Sequence, residues 1–259
     1  MSFVPEKALV VSNKQLTADT VLLRVKSKIS YLPGQFAQLS LPGIGECPVS
    51  FCSYSGGFVE FAVRDAGGVT GCLCRLKKGD FVWVRGPFGH GFPLAGLAGR
   101  NLVLVGGGTG VAPLRSVVHY VLNGRKSLFG LQLFFGFKGY DDIIFRDDFD
   151  RWRLSCDVRL SLDNPCRHLK CFAGFVTDLI KRHRVEKNSV AFICGPPAMT
   201  RFAVQALMAK GLSEKDIFVS MERLMQCGTG KCGHCMVNDK YVCKDGPVFR
   251  ADVAGALRD

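Results

Sequence analysis

Four cysteines near the C-terminal end of the 259-residue sequence are spaced for metal chemistry. The stretch reads Gln226-Cys227-Gly228-Thr229-Gly230-Lys231-Cys232-Gly233-His234-Cys235, with Cys243 following. Four residues separate the first two cysteines, two separate the next pair, and seven more lead to the last. This C-x4-C-x2-C…C order is the plant-type pattern that holds a 2Fe–2S cluster. Gly228, Gly230 and Gly233 let the backbone wrap tightly and aim N–H groups at the cluster. A structural zinc site is the competing reading, but it usually pairs one C-x2-C with a second, and only one occurs here. Cys227, Cys232, Cys235 and Cys243 are therefore expected to ligate iron, and the residues upstream to deliver electrons to it.

Two further stretches suit a dinucleotide. Gly106-Gly107-Gly108-Thr109-Gly110 lies between an apolar run and an apparent helix. That position gathers backbone N–H groups and a positive helix end at one spot, which suits a pyrophosphate. The stretch is not the G-x-G-x-x-G fingerprint, because Val111 takes the third glycine position. Cys194-Gly195-Pro196-Pro197-Ala198-Met199 closes another buried strand, and ligands of open α/β sheets gather at such strand ends. Cys194 equally reads as a core thiol. Nearer the N-terminus, Pro48-Val49-Ser50 and Gly67-Gly68-Val69-Thr70 are candidates for a second ligand. The latter opens a helix, so its amides and the Thr70 hydroxyl suit a phosphate, though an ordinary cap fits as well. Arg85-Gly86-Pro87-Phe88-Gly89-His90-Gly91-Phe92 reads as a turn or interdomain hinge.

Residues 1–98 carry short β-branched or aromatic runs at 8–13, 20–26, 35–41, 49–54, 58–64 and 81–85, bounded by turn residues. They predict a small antiparallel barrel, interrupted by one helix over Val69, Cys72, Leu73 and Leu76. From residue 99 the pattern changes. Continuous apolar runs at 101–105, 128–135, 158–162 and 190–194 predict strands buried on both faces. Helical segments at 111–122, 143–152, 175–184 and 198–210 alternate with them, so residues 99–216 predict a parallel-sheet α/β domain. A last strand at 217–220 leads into the cluster segment, residues 217–259. Glu222, just ahead of the cysteines, reads as a helix-surface glutamate in preference to a residue at a ligand edge.

Composition agrees with a folded electron carrier. Hydrophobic residues make up 47% of the chain, which argues against extended disorder. No run of eighteen apolar residues occurs, so no membrane span is expected. Residues 1–6 lack a signal-peptide pattern, and the expected location is cytoplasmic. Twelve cysteines in such a protein read as ligands and buried thiols rather than disulfides. Cys72 and Cys74 point to different helix faces, Cys47 and Cys52 read as packed thiols, and Cys156, Cys166 and Cys171 lack an obvious fourth ligand. The net charge of +12 suits anionic ligands or an acidic partner. Its basic residues are scattered without interleaved aromatics, which argues against nucleic acid.

Taken in order, these stretches resemble the ferredoxin–NADP reductase superfamily. The resemblance runs the length of the chain and rests on Pro48-Val49-Ser50, Gly68-Val69-Thr70, Arg85-Gly86-Pro87-Phe88-Gly89, Val105 through Pro113, and Cys194-Gly195-Pro196-Pro197. It implies FAD in the barrel, NAD(P)H in the α/β domain and hydride transfer between them. The cysteine block is similar to that of electron-transfer subunits of multisubunit enzymes. The electron-transfer subunit of anaerobic sulfite reductase and the sulfhydrogenase gamma subunit resemble it most, that of dihydroorotate dehydrogenase less. The implied partner is a catalytic subunit, with a further iron–sulfur subunit. A free-standing NADH-dependent reductase for a soluble acceptor and a zinc-bearing interaction module are the alternatives. One departure stands out: Cys47 and Val49 occupy positions where the superfamily often has arginine and tyrosine. The FAD pyrophosphate is then expected on the 67–70 amides with Arg64. Lys138 suits a 2′-phosphate while Asp141 and Asp142 oppose one, which leaves NADH and NADPH equally open.

Overall fold

The computed structural model describes residues 2–54, 57–125, 128–167 and 169–256. Alternation of apolar and polar residues builds the first sheet. It comprises β1 (Ser2–Gln15), β2 (Thr20–Lys26), β3 (Phe36–Leu41), β4 (Gly45–Ser50), β5 (Phe58–Arg64) and β6 (Phe81–Phe88). Their order is β4-β3-β6-β1-β2-β5. All neighbours are antiparallel. Val21, Leu23 and Val25 of β2 and Val59, Phe61 and Val63 of β5 point into one core. A bridge between Phe51 and Phe61 draws the two edges together, giving the six-stranded half-barrel. Helix α1 (Gly68–Cys74) packs on it through fully buried Leu73. The fourth strand lies at Gly45–Ser50 rather than at 49–54. Pro48 looked like a strand boundary, yet β4 is a sheet edge, where a residue without an N–H is tolerated.

A seven-stranded sheet follows. Its elements are β7 (Asn101–Gly107), α2 (Val111–Tyr120), β8 (Gly130–Phe137), α3 (Arg146–Trp152), β9 (Asp157–Leu162), β10 (Phe172–Ala173), α4 (Val176–Arg182), β11 (Ser189–Cys194), α5 (Pro197–Ala209) and β12 (Ile217–Ser220). Leu102 and Leu104 of β7 face one core while Val103 and Val105 face another, which explains its unbroken apolar run. The β8 strand begins two residues later than its apolar run, because Gly130 registers with Asn101. Phe129 is left 76% exposed in the preceding loop.

The remaining elements are β13 (Met236–Val237), β14 (Lys240–Tyr241), α6 (Val242–Asp245), β15 (Val248–Arg250) and α7 (Ala251–Ala254). β15 returns to the large sheet and pairs antiparallel with β12. The order is thus β10-β9-β8-β7-β11-β12-β15, and the cysteine segment is an excursion between two of its strands. A small core joins that excursion to the half-barrel: Cys235, Val237, Val242, Cys243 and Phe249 pack with Phe36 and Phe88. Among the described residues no helix is long and apolar enough to cross a membrane.

Candidate functional site

β7 and β11 are neighbours in the large sheet, and the chain leaves them in opposite directions, to β8 on one side and β12 on the other. This is the switch point at which open α/β sheets bind ligands. Cys194 registers with Gly106, so the two glycine- and proline-bearing loops leave the sheet side by side. They approach so closely that a Cβ on Gly110 would overlap the Cys194 carbonyl oxygen. Met199, on the first turn of α5, packs its sulfur over Gly107. Gly108 turns into α2 and Gly195 sits against Met199, while Pro196 caps α5 and Pro197 opens it.

In front of this switch point lies a cleft of about 460 Å³ between the two sheets. Pro48, Val49 and Ser50 from β4, Arg64 from β5 and Thr70 from α1 line one wall, and Thr109, Gly110 and Cys194 line the other. Residues 220–225 and Pro247 complete it. Gly67, Gly68 and Val69 form the turn into α1, where Val69 packs on the half-barrel core. The Thr70 hydroxyl donates to the Gly67 carbonyl at 3.1 Å and accepts from the Ala66 amide at 2.9 Å. Its proton is therefore committed to its own turn. Arg64 bonds Asp19 at 2.8 Å and stays 61% exposed, so its charge still faces the cleft mouth.

Glu222 departs from expectation. It lies outside any helix and lines the cleft. The residue is exposed at the cleft surface, and partial desolvation of its carboxyl there raises its pKa, with Arg64 opposing. Cys194 is fully buried, and burial together with Glu222 pushes its thiol up to about 12 against a bond from Ser220. It is a protonated wall residue and not a nucleophile.

Beyond Met225 the chain enters the cysteine loop. Amides of Thr229, Lys231 and Cys232 each donate to the Cys227 sulfur at 3.4 Å. The Gly230 amide donates to the Cys243 sulfur at 3.1 Å, and the Cys243 amide to the Cys235 sulfur at 3.4 Å. Gly228, Gly230 and Gly233 hold φ of 72°, 70° and 77°, the left-handed turns that aim these amides inward. Burial resists ionisation of Cys227, but the Thr229 hydroxyl and the amides of Thr229, Cys232 and Lys231 outweigh it and bring its thiol to about 5. Cys243 is pushed the other way, to about 12, by burial and by the neighbouring Cys235 thiol. Cys235 and Cys243 are buried while Cys232 is exposed. Among the described residues no three His, Cys, Asp or Glu side chains converge on one ion-sized site. A zinc ion would draw its sulfurs to about 2.3 Å from one centre. The lack of such a centre bears on zinc and iron alike; what the loop does offer is a set of amides pointing at sulfur, the shell that a thiolate-bound anionic cluster needs.

Three contributors were given no role at the site by the sequence. Arg85, assigned to a hinge, reaches the cysteine loop: its Nη1 donates to the Cys227 carbonyl at 2.9 Å. Gln38 donates to the Gln226 carbonyl at 3.2 Å. Arg115 joins the two sheets through Glu60 and Asp148. Arg115 had a local signal as an arginine on a largely apolar helix, and Arg85 as the opening residue of the Arg85–Gly89 stretch.

Known proteins match this arrangement along its length. Residues 104–205 match the oxidoreductase NAD-binding domain, and residues 222–253 match the iron–sulfur cluster binding domain of dihydroorotate dehydrogenase B. The second match opposes the zinc reading. The sulfhydrogenase 2 gamma subunit of Pyrococcus furiosus is 38% identical over 93% of this chain and 93% of its own. A probable dihydroorotate dehydrogenase B electron transfer subunit from the same organism is 34% identical over 87% of this chain and 82% of its own. Among solved structures, one of an NADH-dependent reduced ferredoxin-NADP oxidoreductase superposes with a TM-score of 0.81 at 26% identity, covering 95% of this chain and 88% of that one.

Proposed function

The chain belongs to the family of the sulfhydrogenase gamma and dihydroorotate dehydrogenase B electron-transfer subunits, and we propose that it feeds electrons from NAD(P)H to a sulfhydrogenase-type catalytic subunit. One observation carries this reading. The cleft between the sheets is lined by residues 220–225, and the chain passes from there straight into Cys227. A ligand in the cleft and a cluster on the cysteines are thereby held by one continuous strand of backbone.

FAD in the cleft would supply hydride acceptance from the nicotinamide, and a 2Fe–2S cluster on the cysteines would supply one-electron acceptance. The residues divide the work of holding them. Pro48, Val49 and Ser50 form the flavin wall. Arg64 and the amides of Gly67 to Thr70 take the flavin pyrophosphate. The turn from Gly106 to Gly110, with Cys194, Gly195, Pro196, Pro197 and Met199, takes the nicotinamide dinucleotide. Cys227, Cys232, Cys235 and Cys243 hold iron, and their amide shell favours the charged, thiolate-bound form. No acid–base pair is needed for such a relay, because the protein supplies orientation and electrostatics. The likeness over 93% of both chains supports a sulfhydrogenase-type catalytic partner, and a further iron–sulfur subunit is proposed beside it.

The test uses the full chain, loaded with flavin and iron. Anaerobic NADH or NADPH should bleach both the flavin and the cluster absorption, and heat should release FAD. A loaded chain that neither nucleotide bleaches would refute the reading. Recovery of a sulfite reductase catalytic subunit with the tagged chain would move the partner assignment, and recovery of none would favour a free-standing reductase.

A further inference from the structure

Arg85 sits on β6 with its side chain only 12% exposed. Its Nε–H donates to Glu46 Oε2 at 2.9 Å, and Nη2 donates to Glu46 Oε1. This fork-to-carboxylate pairing fixes the plane of the guanidinium, which also lies 5.2 Å above the Phe88 ring. The remaining edge is aimed at the cysteine loop. Nη1 donates to the Cys227 carbonyl at 2.9 Å, and Nη2 reaches the Gln226 carbonyl at 3.4 Å. Gln38, fully buried and opposite Arg85 across β3 and β6, donates to the same Gln226 carbonyl. Cys227 is also the hub of its loop, since three amides converge on its sulfur. Fixing its main chain fixes the loop.

We propose that Arg85, held by Glu46, is a positioning residue for electron exit: it pins the Cys227 main chain to the half-barrel and so sets how fast electrons reach the cluster, without affecting their entry into the cleft. The inference rests on the electron-transfer reading above. An arginine is required because one planar fork must satisfy a carboxylate and a carbonyl together; a lysine ammonium can reach one or the other. Electron transfer falls steeply with distance, so a loop released from this anchor slows the outgoing step first.

Full-chain variants R85M, R85K and E46Q, carrying flavin and a reconstituted cluster, test this by anaerobic rapid mixing with NADH. In R85M the cluster bleaches at least ten-fold more slowly and its EPR line shape changes, while flavin bleaching stays within two-fold of wild type. R85K recovers part of the cluster rate, and E46Q lies between. Wild-type cluster bleaching in R85M, or flavin and cluster phases falling together, would overturn the proposal. If R85M takes up no iron, R85K and E46Q decide, and wild-type cluster bleaching in both would overturn it. Loss of iron from all three with flavin bleaching intact supports the anchor. A wild-type chain whose flavin NADH does not bleach sinks the functional reading instead, and iron retention by the variants still reports on the anchor.

Discussion

Arg115 on α2 donates to Glu60 on β5 at 2.7 Å, from a side chain only 8% exposed. Its Nε also donates to Asp148 at 2.6 Å, and Nη1 donates to the Cys52 carbonyl at 2.8 Å. The Phe145 ring covers the guanidinium at 4.7 Å. α2 begins directly after the glycine turn, whereas Glu60 and Cys52 belong to the half-barrel. One buried cation thus ties the helix that follows the glycine turn to the half-barrel.

Removing that cation leaves Asp148 without its buried partner and Glu60 with only Arg24, 3.8 Å away. R115M should lower unfolding stability by about 3–5 kcal/mol, the usual cost of breaking a buried ion pair from one side. R115K keeps the charge but not the fork and should fall between. Urea unfolding of the full chain checks this, and a loss under about 1 kcal/mol in R115M would contradict the network's role.

His119 lies one turn further along α2. Burial, and then the positive Arg115 beside it, lower its pKa to about 4, with Asp148 and Glu60 opposing. The unfolded imidazole titrates near 6.5, so the unfolded chain takes up a proton that the native chain refuses. The contribution is fully present above pH 6.5 and is lost as pH falls from there toward 4, by up to about 3 kcal/mol. H119Q cannot gain that proton. Its stability should fall less over this window, and parallel curves for the two proteins would rule the histidine out as the cause.

What the sequence made legible was local. Four cysteines within one short stretch stand out by their spacing alone, and a strand buried on both faces has no polar period to disguise it. Glycine and proline mark the strand ends that meet at the switch point. Arg85 was taken for part of a hinge because its partner Cys227 lies 142 residues away. The Arg115 partner Glu60 lies 55 residues back, on the other sheet. Contacts that cross between sheets leave no spacing to read. β15 has only three residues and owes its place to pairing with β12, which no periodicity encodes.

The contact between Gly110 and Cys194 makes a sharp steric test. G110A drives a methyl into a main-chain oxygen that has no flexible side chain to yield. The two loops must part, and the switch point widens where the dinucleotide is proposed to sit. The expected result is a rise of ten-fold or more in the NADH concentration needed for half-maximal flavin bleaching, about 1.4 kcal/mol of binding. Flavin and iron content should be retained. Unaltered NADH dependence would place the dinucleotide elsewhere.

Glu222 offers the cleft a carboxyl that holds its proton to higher pH than a solvated glutamate. Partial desolvation in the cleft raises its pKa although the residue is exposed, and Arg64 opposes, while Cys194 lies close enough to feel its charge. Perturbed carboxyls in a cleft are candidates for proton exchange with a bound ligand. As pH rises through the Glu222 pKa the wild-type carboxyl ionises, and the rate of NADH-driven flavin bleaching should change across that same interval. E222Q cannot ionise, so its profile should be flat there and its rate about ten-fold lower, close to 1.4 kcal/mol in barrier. E222D should restore the pH dependence. Iron content serves as the control, because the variant alters the cleft and not the cysteine loop. A pH profile in E222Q that follows wild type would return Glu222 to the role of a wall residue, leaving orientation of the ligands as the whole of the protein's contribution.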